Sequence, residues 1–179
     1  MNTTIPSKPW RQLAEPTPVH SLQMLLIDRQ DRLLLMHRSA TVRSARNVWS
    51  FPSGIHEIGE TMFDACAREL QEELKLDPVA GAMMHLGCYE NIAPEPDEPW
   101  HWILSVIAVV VPDVTKFVNT EPEKHDDIRC VPFMEMVHDK FWSEFNFHKT
   151  FVDWAKPQSG RIVSNFIKLL TLTYPPHVG

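Results

Sequence analysis

Residues 54–76 read GIHEIGETMFDACARELQEELKL, and no other stretch constrains the chain as strongly. Glu69, Glu72 and Glu73 stand at i, i+3 and i+4. That spacing puts three carboxylates on one face of a helix. Like charges so placed repel by roughly a few tenths of a kcal/mol per pair. Glu72 and Glu73 also fall near the end of the helix, where the macrodipole disfavours anions. A positive partner must compensate, and a hard divalent cation such as Mg2+ suits clustered carboxylate oxygens. Thr61 is a suitable N-cap. Phe63, Ala67, Leu70 and Leu74 follow at i, i+4, i+7 and i+11 as an apolar stripe. The stripe is expected to pack on a core, with the glutamates well away from it and facing a cleft. Asp77-Pro78 closes the element, because the residue before a proline leaves the helical region.

The same residues resemble the signature of the Nudix hydrolases, G-x5-E-x7-R-E-U-x-E-E-x-G-U, where U is aliphatic. Gly54, Glu60, Arg68, Glu69, Leu70, Glu72, Glu73 and Leu76 all fall on it. Lys75 departs, standing where the family has its second glycine. A glycine there would adopt a left-handed conformation cheaply, and a lysine does so less easily. The resemblance implies an α/β protein, with the Nudix α/β/α sandwich around a mixed sheet. It implies hydrolysis of a nucleoside diphosphate linked to another group X, with Mg2+, or alternatively Mn2+, as cofactor. Glu69, Glu72 and Glu73 become the catalytic metal-ligand set, with Glu69 the preferred general base. Ser53 would add its backbone carbonyl to the metal. Gly54, Glu60 and Arg68 take structural roles, the last two as an ion pair tying loop to helix.

A second element, Asn119-Thr120-Glu121-Pro122-Glu123-Lys124, resembles the N-x-E-P-x-K loop of MutT-like nucleoside triphosphate diphosphatases. In that subgroup an acid from this loop approaches the metal. Glu123 is the preferred candidate and Glu121 the second; an ordinary polar turn is the alternative. The expected reaction is (d)NTP to NMP and pyrophosphate. ADP-ribose, a nucleotide sugar, a dinucleoside polyphosphate or an RNA cap are alternative substrates. A catalytically silent nucleotide-binding module is the alternative of another class, but such modules typically lose a glutamate, and all are present here. An isomerase with a Nudix-like core would need a Cys/His metal set, which is not found around the signature. Relatives with the second element often continue W-x-W-V-P, whereas this chain reads Ile128-Arg129-Cys130-Val131-Pro132. Base contacts are therefore sought among Trp100, His101 and Trp102; in the other reading Trp102 is core, Trp100 covers an edge and His101 caps a strand. Arg38 is a candidate for phosphate, or for a surface ion pair.

The remaining sequence bounds the setting. At 179 residues and 44% hydrophobic content, the chain suits one domain with a sizeable core. Residues 1–18, with Pro6, Pro9, Pro16 and Pro18, read as an extended arm. Residues 19–179 read as the Nudix domain with a helical C-terminal region. Strands are expected over 19–28 and 32–38 as a hairpin, then 48–51, 83–90, 102–111 and 128–131. Helices are expected over 145–154 and 162–172, with Gly160 between them. The proline-rich stretch 93–99 reads as a loop. No apolar run reaches the roughly 20 residues of a membrane span, and MNTTIPSKPW lacks the apolar core of a signal peptide. Cys66, Cys88 and Cys130 are odd in number and lack metal-ligand spacing, so a reducing, cytoplasmic setting is expected. The net charge of −6 argues against broad nucleic-acid binding, though not against a nucleotide substrate. A homodimer is compatible with the long C-terminal region.

Overall fold

The computed structural model describes residues 18–93 and 100–176. The expected arm over 1–18 and the loop over 93–99 fall almost wholly outside the described residues.

The centre is built by β1 (Val19–Ile27) and β6 (Trp100–Val110), which run parallel from Val19 opposite Trp102 to Ile27 opposite Val110. Both read as near-continuous apolar runs because both faces of these strands are covered. Leu22, Met24, Leu26, Ile107 and Val109 point to one face. Leu25, Ile27, Val106, Ala108 and Val110 point to the other. β2 (Arg32–Arg38) follows β1 in an antiparallel hairpin. The buried Asp28 carboxylate fastens its turn, accepting from the backbone N–H groups of Gln30, Arg32 and Val114 and from Arg32 Nε. Among the described residues, β3 (Trp49–Ser50), β5 (Met83–Ala93) and the strands named above form a mixed sheet in the order β3-β2-β1-β6-β5. β4 (Ser53–Ile55) pairs with β1, and β7 (His125–Pro132) with β2. The short β4 has no counterpart among the expected strands, since Pro52-Ser53-Gly54 reads locally as a turn.

α1 (Met62–Leu74) covers one face of the sheet. The other face carries α2 (Asp139–Glu144), α3 (Lys149–Ala155) and α4 (Ser159–Thr173). The result is the expected α/β/α sandwich. The C-terminal helices differ from expectation in their bounds. Phe145 and Phe147 lie outside helix and pack into an aromatic core with Phe51, whose ring stacks on Phe147 at 5.6 Å. Gly160 sits in the first turn of α4 rather than between helices. The helical spacing of 145–154 is thus partly the spacing of aromatic core contacts made by extended chain.

Candidate active site

α1 begins as its sequence requires. Thr61 Oγ1 accepts from the Asp64 N–H at 3.2 Å, and the Asp64 carboxylate accepts from the Thr61 N–H at 3.3 Å. This reciprocal box satisfies two N-terminal donors. The buried stripe is not the expected one. Cys66, Leu70 and Leu74 are sealed, together with Ala65, while Phe63 is 44% exposed. Residues four apart nearly superpose along a helix, so the line 66-70-74 lies beside the line 69-73. Glu69 and Glu73 therefore border the buried face instead of standing well away from it. Glu72 alone of the three is exposed.

Arg68 organises the helix and loop. Its Nε and Nη2 donate to both Glu60 oxygens at 3.1 and 2.8 Å, a bidentate fork. Nη2 also reaches the Ile55 carbonyl at 3.0 Å, and Nη1 reaches Glu69 Oε1 at 2.8 Å and Glu72 Oε2 at 3.5 Å. The fork chiefly, with Glu69 adding to it, raises the Arg68 pKa, while burial opposes the rise.

β4 supplies the facing wall. The bonds Met24 N–H to Pro52 O and His56 N–H to His20 O place Leu22 and Gly54 in a bonded pair. Ser53 then directs its own N–H and C=O away from β1. The Ser53 N–H faces the Glu73 carboxylate and the Ile55 N–H that of Glu69, and each favours the ionised form of its acid. Gly54 lies between them, and a Cβ there would meet Glu69 Cδ at 2.0 Å and Cγ at 2.2 Å. The glycine is required by close approach, not by unusual backbone dihedrals.

Glu73 is the most perturbed acid. Burial, with the nearby charges of Glu121 and Glu69, pushes its carboxyl up to about 8. Burial also raises Glu69 against the pull of Arg68. Glu73 Oε2 and Glu121 Oε2 are both sealed from solvent and lack a hydrogen-bond partner.

The N-x-E-P loop reaches this cluster by docking on the end of α1. Thr120 Oγ1 donates to the carbonyls of Glu72 and Glu73, at 2.7 and 2.8 Å. The Thr120 N–H also donates to Glu73 O, and the Val118 N–H to Leu74 O. The helix stops at Lys75, whose φ of 55° and ψ of 34° are left-handed, so the lysine adopts the conformation a glycine would have adopted more cheaply. Glu121, the second candidate, faces Glu73. The preferred Glu123 does not: its side chain is exposed, and its carbonyl accepts from Ser39 Oγ and Thr41 Oγ1. Asn119 Oδ1 accepts from the Glu121 N–H, an Asx turn that directs Glu121 inward and leaves Glu123 outward.

Among the described residues, no group of three or more His, Cys, Asp or Glu side chains stands ready-arranged around a metal position. The chemistry nonetheless fits a hard cation. Two sealed, unpartnered carboxylate oxygens sit beside a third buried carboxylate, and the charge now balancing Glu69 and Glu72 is Arg68.

On the sheet face away from α1, a cleft of about 180 Å³ opens. Ser21 and Gln23 of β1, Tyr89 and Asn91 of β5, and Trp102 and Leu104 of β6 line it. Arg38 and Ser53 also line it, and Gly54, next after Ser53, lies against the Glu69 carboxylate, so β4 borders both the cleft and the carboxylates. Arg38 makes no carboxylate hydrogen bond among the described residues; its Nε and Nη2 hold the Ser44 and Ala45 carbonyls. His101 is outside the cleft. Strand alternation turns it to the opposite sheet face, where its Nε2 is 3.7 Å from Glu90 Oε2. Trp100 starts β6, and its side chain lies outside the described residues. Trp102, for which base stacking and core packing are the two readings, lines the cleft. Gln23, Tyr89 and Thr120 were not singled out from sequence. Ser21 and Gln23 carried a signal, as polar residues at i and i+2 in an apolar strand.

The NUDIX domain family matches residues 19–155. A curated relative, m7GpppN-mRNA hydrolase NUDT17 of Danio rerio, is 40% identical over 73 residues, which is 40% of this chain and 24% of the relative. The chain thus spans about a quarter of that relative's length. Isopentenyl-diphosphate Delta-isomerase of Haloarcula marismortui is 29% identical over 117 residues, 61% of this chain and 59% of the relative. A mutT/nudix family protein from Listeria innocua aligns with TM-score 0.59 at 20% identity, covering 85% of this chain and 99% of the other. At that identity the likeness speaks to fold. No helix among the described residues is long and apolar enough to cross a membrane.

Proposed function

The chain belongs to the Nudix family of hydrolases, and from that premise we propose that it converts a (d)NTP to NMP and pyrophosphate with Mg2+. The observation that carries the reading is the continuity of site and cleft. Ser53 and Arg38 line a cleft sized for an organic group, and Gly54 beside Ser53 lies against the Glu69 carboxylate. Glu69, Glu73 and Glu121, with Glu72 and the Ser53 carbonyl, are the groups that would hold the cation. Once bound, the cation would neutralise phosphate charge and lower the pKa of a water.

The chain's own groups do the positioning. Arg68 fixes the Glu60 loop against α1, and Gly54 leaves room for Glu69. Thr120 holds Glu121 against Glu73. Arg38 presents a half-buried positive charge at the junction, suited to phosphate oxygens. Glu69 remains the preferred base, since it is half-buried and its carboxyl group lies against Gly54 of β4. Hydrolysis is favoured over isomerisation because the full glutamate set and the Glu60–Arg68 fork are present together. A capped RNA is the second reading, favoured by the likeness to NUDT17.

A panel of (d)NTPs, ADP-ribose, dinucleoside polyphosphates and capped RNA, assayed with Mg2+, tests the substrate. A triphosphate should show the highest kcat/KM; a clear preference for capped RNA or ADP-ribose overturns the choice. Glu73→Gln should lower turnover by more than about 100-fold while leaving the circular dichroism spectrum intact. Undiminished activity would remove Glu73 from the ligand set.

A further inference from the structure

Gln23 is a buried polar residue on the cleft face of the central strand, 7% exposed. Its neighbour on that face, Ser21, is committed to the Gly54 carbonyl at 2.8 Å. Gln23 Oε1 accepts from Tyr89 Oη at 3.0 Å. Burial raises the Tyr89 phenol pKa, so the phenol keeps its proton. A buried hydroxyl proton without an acceptor is costly, which fixes the oxygen of the amide toward Tyr89. The amide nitrogen then keeps both its hydrogens for a partner other than Tyr89. Nε2 has no hydrogen-bond partner among the described residues, and it is not sealed from solvent. The walls beside it, Leu104 and Phe151, are apolar. The cleft therefore presents a positioned pair of N–H donors beside these apolar walls, with Asn91 and His148 among its other polar lining residues.

We infer that Gln23, oriented by Tyr89, is a specificity-determining residue of the cleft, and that it selects a base carrying a carbonyl where adenine carries an amine. The inference rests on the reading that a nucleotide base enters this cleft. The amide N–H donors meet the O6 acceptor of guanine or hypoxanthine directly. Against adenine they face the N6 amine, and donors on both sides go unpaired. Tyr89 acts through Gln23 as a positioning residue.

The test compares kcat/KM for dGTP, dITP and dATP, with equilibrium binding of dGMP and dAMP. The proteins are the full chain and its Gln23→Leu, Gln23→Glu and Tyr89→Phe variants, each checked for fold by circular dichroism. The wild type should favour both 6-oxopurines by at least about tenfold, the worth of one net hydrogen bond. Gln23→Leu should bring the ratio close to one. Gln23→Glu should reverse it, because a carboxylate only accepts. Tyr89→Phe should narrow it by freeing the amide to rotate. A wild-type preference for dATP, or a ratio that Gln23→Glu leaves unchanged, overturns the inference. Selective binding of dGMP without turnover of any triphosphate would uphold this inference and remove the proposed reaction. Equal binding of dGMP and dAMP would remove the inference.

Discussion

A Cβ on residue 54 would overlap the Glu69 carboxyl carbon at 2.0 Å, so Gly54→Ala must displace that carboxylate or the strand. The neighbouring β4 residues are partly exposed, and the strand is short. Gly54→Ala is therefore expected to fold with little loss of Tm while losing more than about 100-fold in kcat. Normal kcat would show that Glu69 need not lie where it does. Glu73 gives a second prediction at the same scale. Its folded pKa of about 8 lies above the ordinary value of 4.5, so the cation-free fold holds a proton that the unfolded chain has released. Stability should then fall as pH rises between those values. His125 acts in the opposite sense. Burial, chiefly, lowers its imidazole to about 4, so stability rises with pH up to its ordinary value of 6.5. Of these two, Glu73 alone remains active between pH 6.5 and 8. In chelator, Tm should decline across that interval, and Glu73→Gln should flatten the decline. A flat wild-type profile would refute the shift. The identities of these acids were legible from spacing. Their burial was not, because a one-residue offset between the expected stripe and Cys66-Leu70-Leu74 decides which glutamates meet the sheet.

α1 shows what an element's own sequence can and cannot specify. Its start was legible, since Thr61 is a local capping residue and caps locally. Its end is completed from a distance: Thr120 satisfies the Glu72 and Glu73 carbonyls from more than forty residues away in sequence. Thr120→Val removes that donor at near-constant shape. It should cost about 1–2 kcal/mol of stability. Released from Glu73, Glu121 should also bind cation less well, so the Mg2+ concentration for half-maximal rate should rise. Calorimetric titration of Mn2+ into the unliganded protein should show the same weakening. An unchanged titration would mean that the loop stays in place without this contact. The choice between Glu121 and Glu123 was beyond the sequence for the same reason, because the turn at Asn119 and its docking site belong to separate elements. β2 was legible to its ends, and β6 lost its first two residues to the neighbouring proline-rich stretch.

At the scale of the whole molecule, β1 contributes alternate residues to both cores. Leu70→Ala on the α1 side and Phe166→Ala on the α4 side should each cost about 3–5 kcal/mol. Both should lower a single transition, seen at the same midpoint by far-UV circular dichroism and by tryptophan fluorescence. Trp49 and Trp142 lie in the core on the α4 side and Trp154 packs against that core, so all three report from that side. Fluorescence that ignores Leu70→Ala would show the two layers melting apart. The layered architecture was legible because its strands alternate or run apolar in sequence. The cleft was not, because it gathers residues from β1, β5 and β6 that only the sheet order makes neighbours. Arg68 bears on how such a molecule comes into being. By holding Glu60, Glu69 and Glu72 together, it gives the acidic wall an internal counter-charge before any ion arrives. That counter-charge is expected to let the chain fold in chelator, which a cooperative melt recorded in EDTA would check. Under the proposed function, ion supply would then bear on turnover rather than on folding.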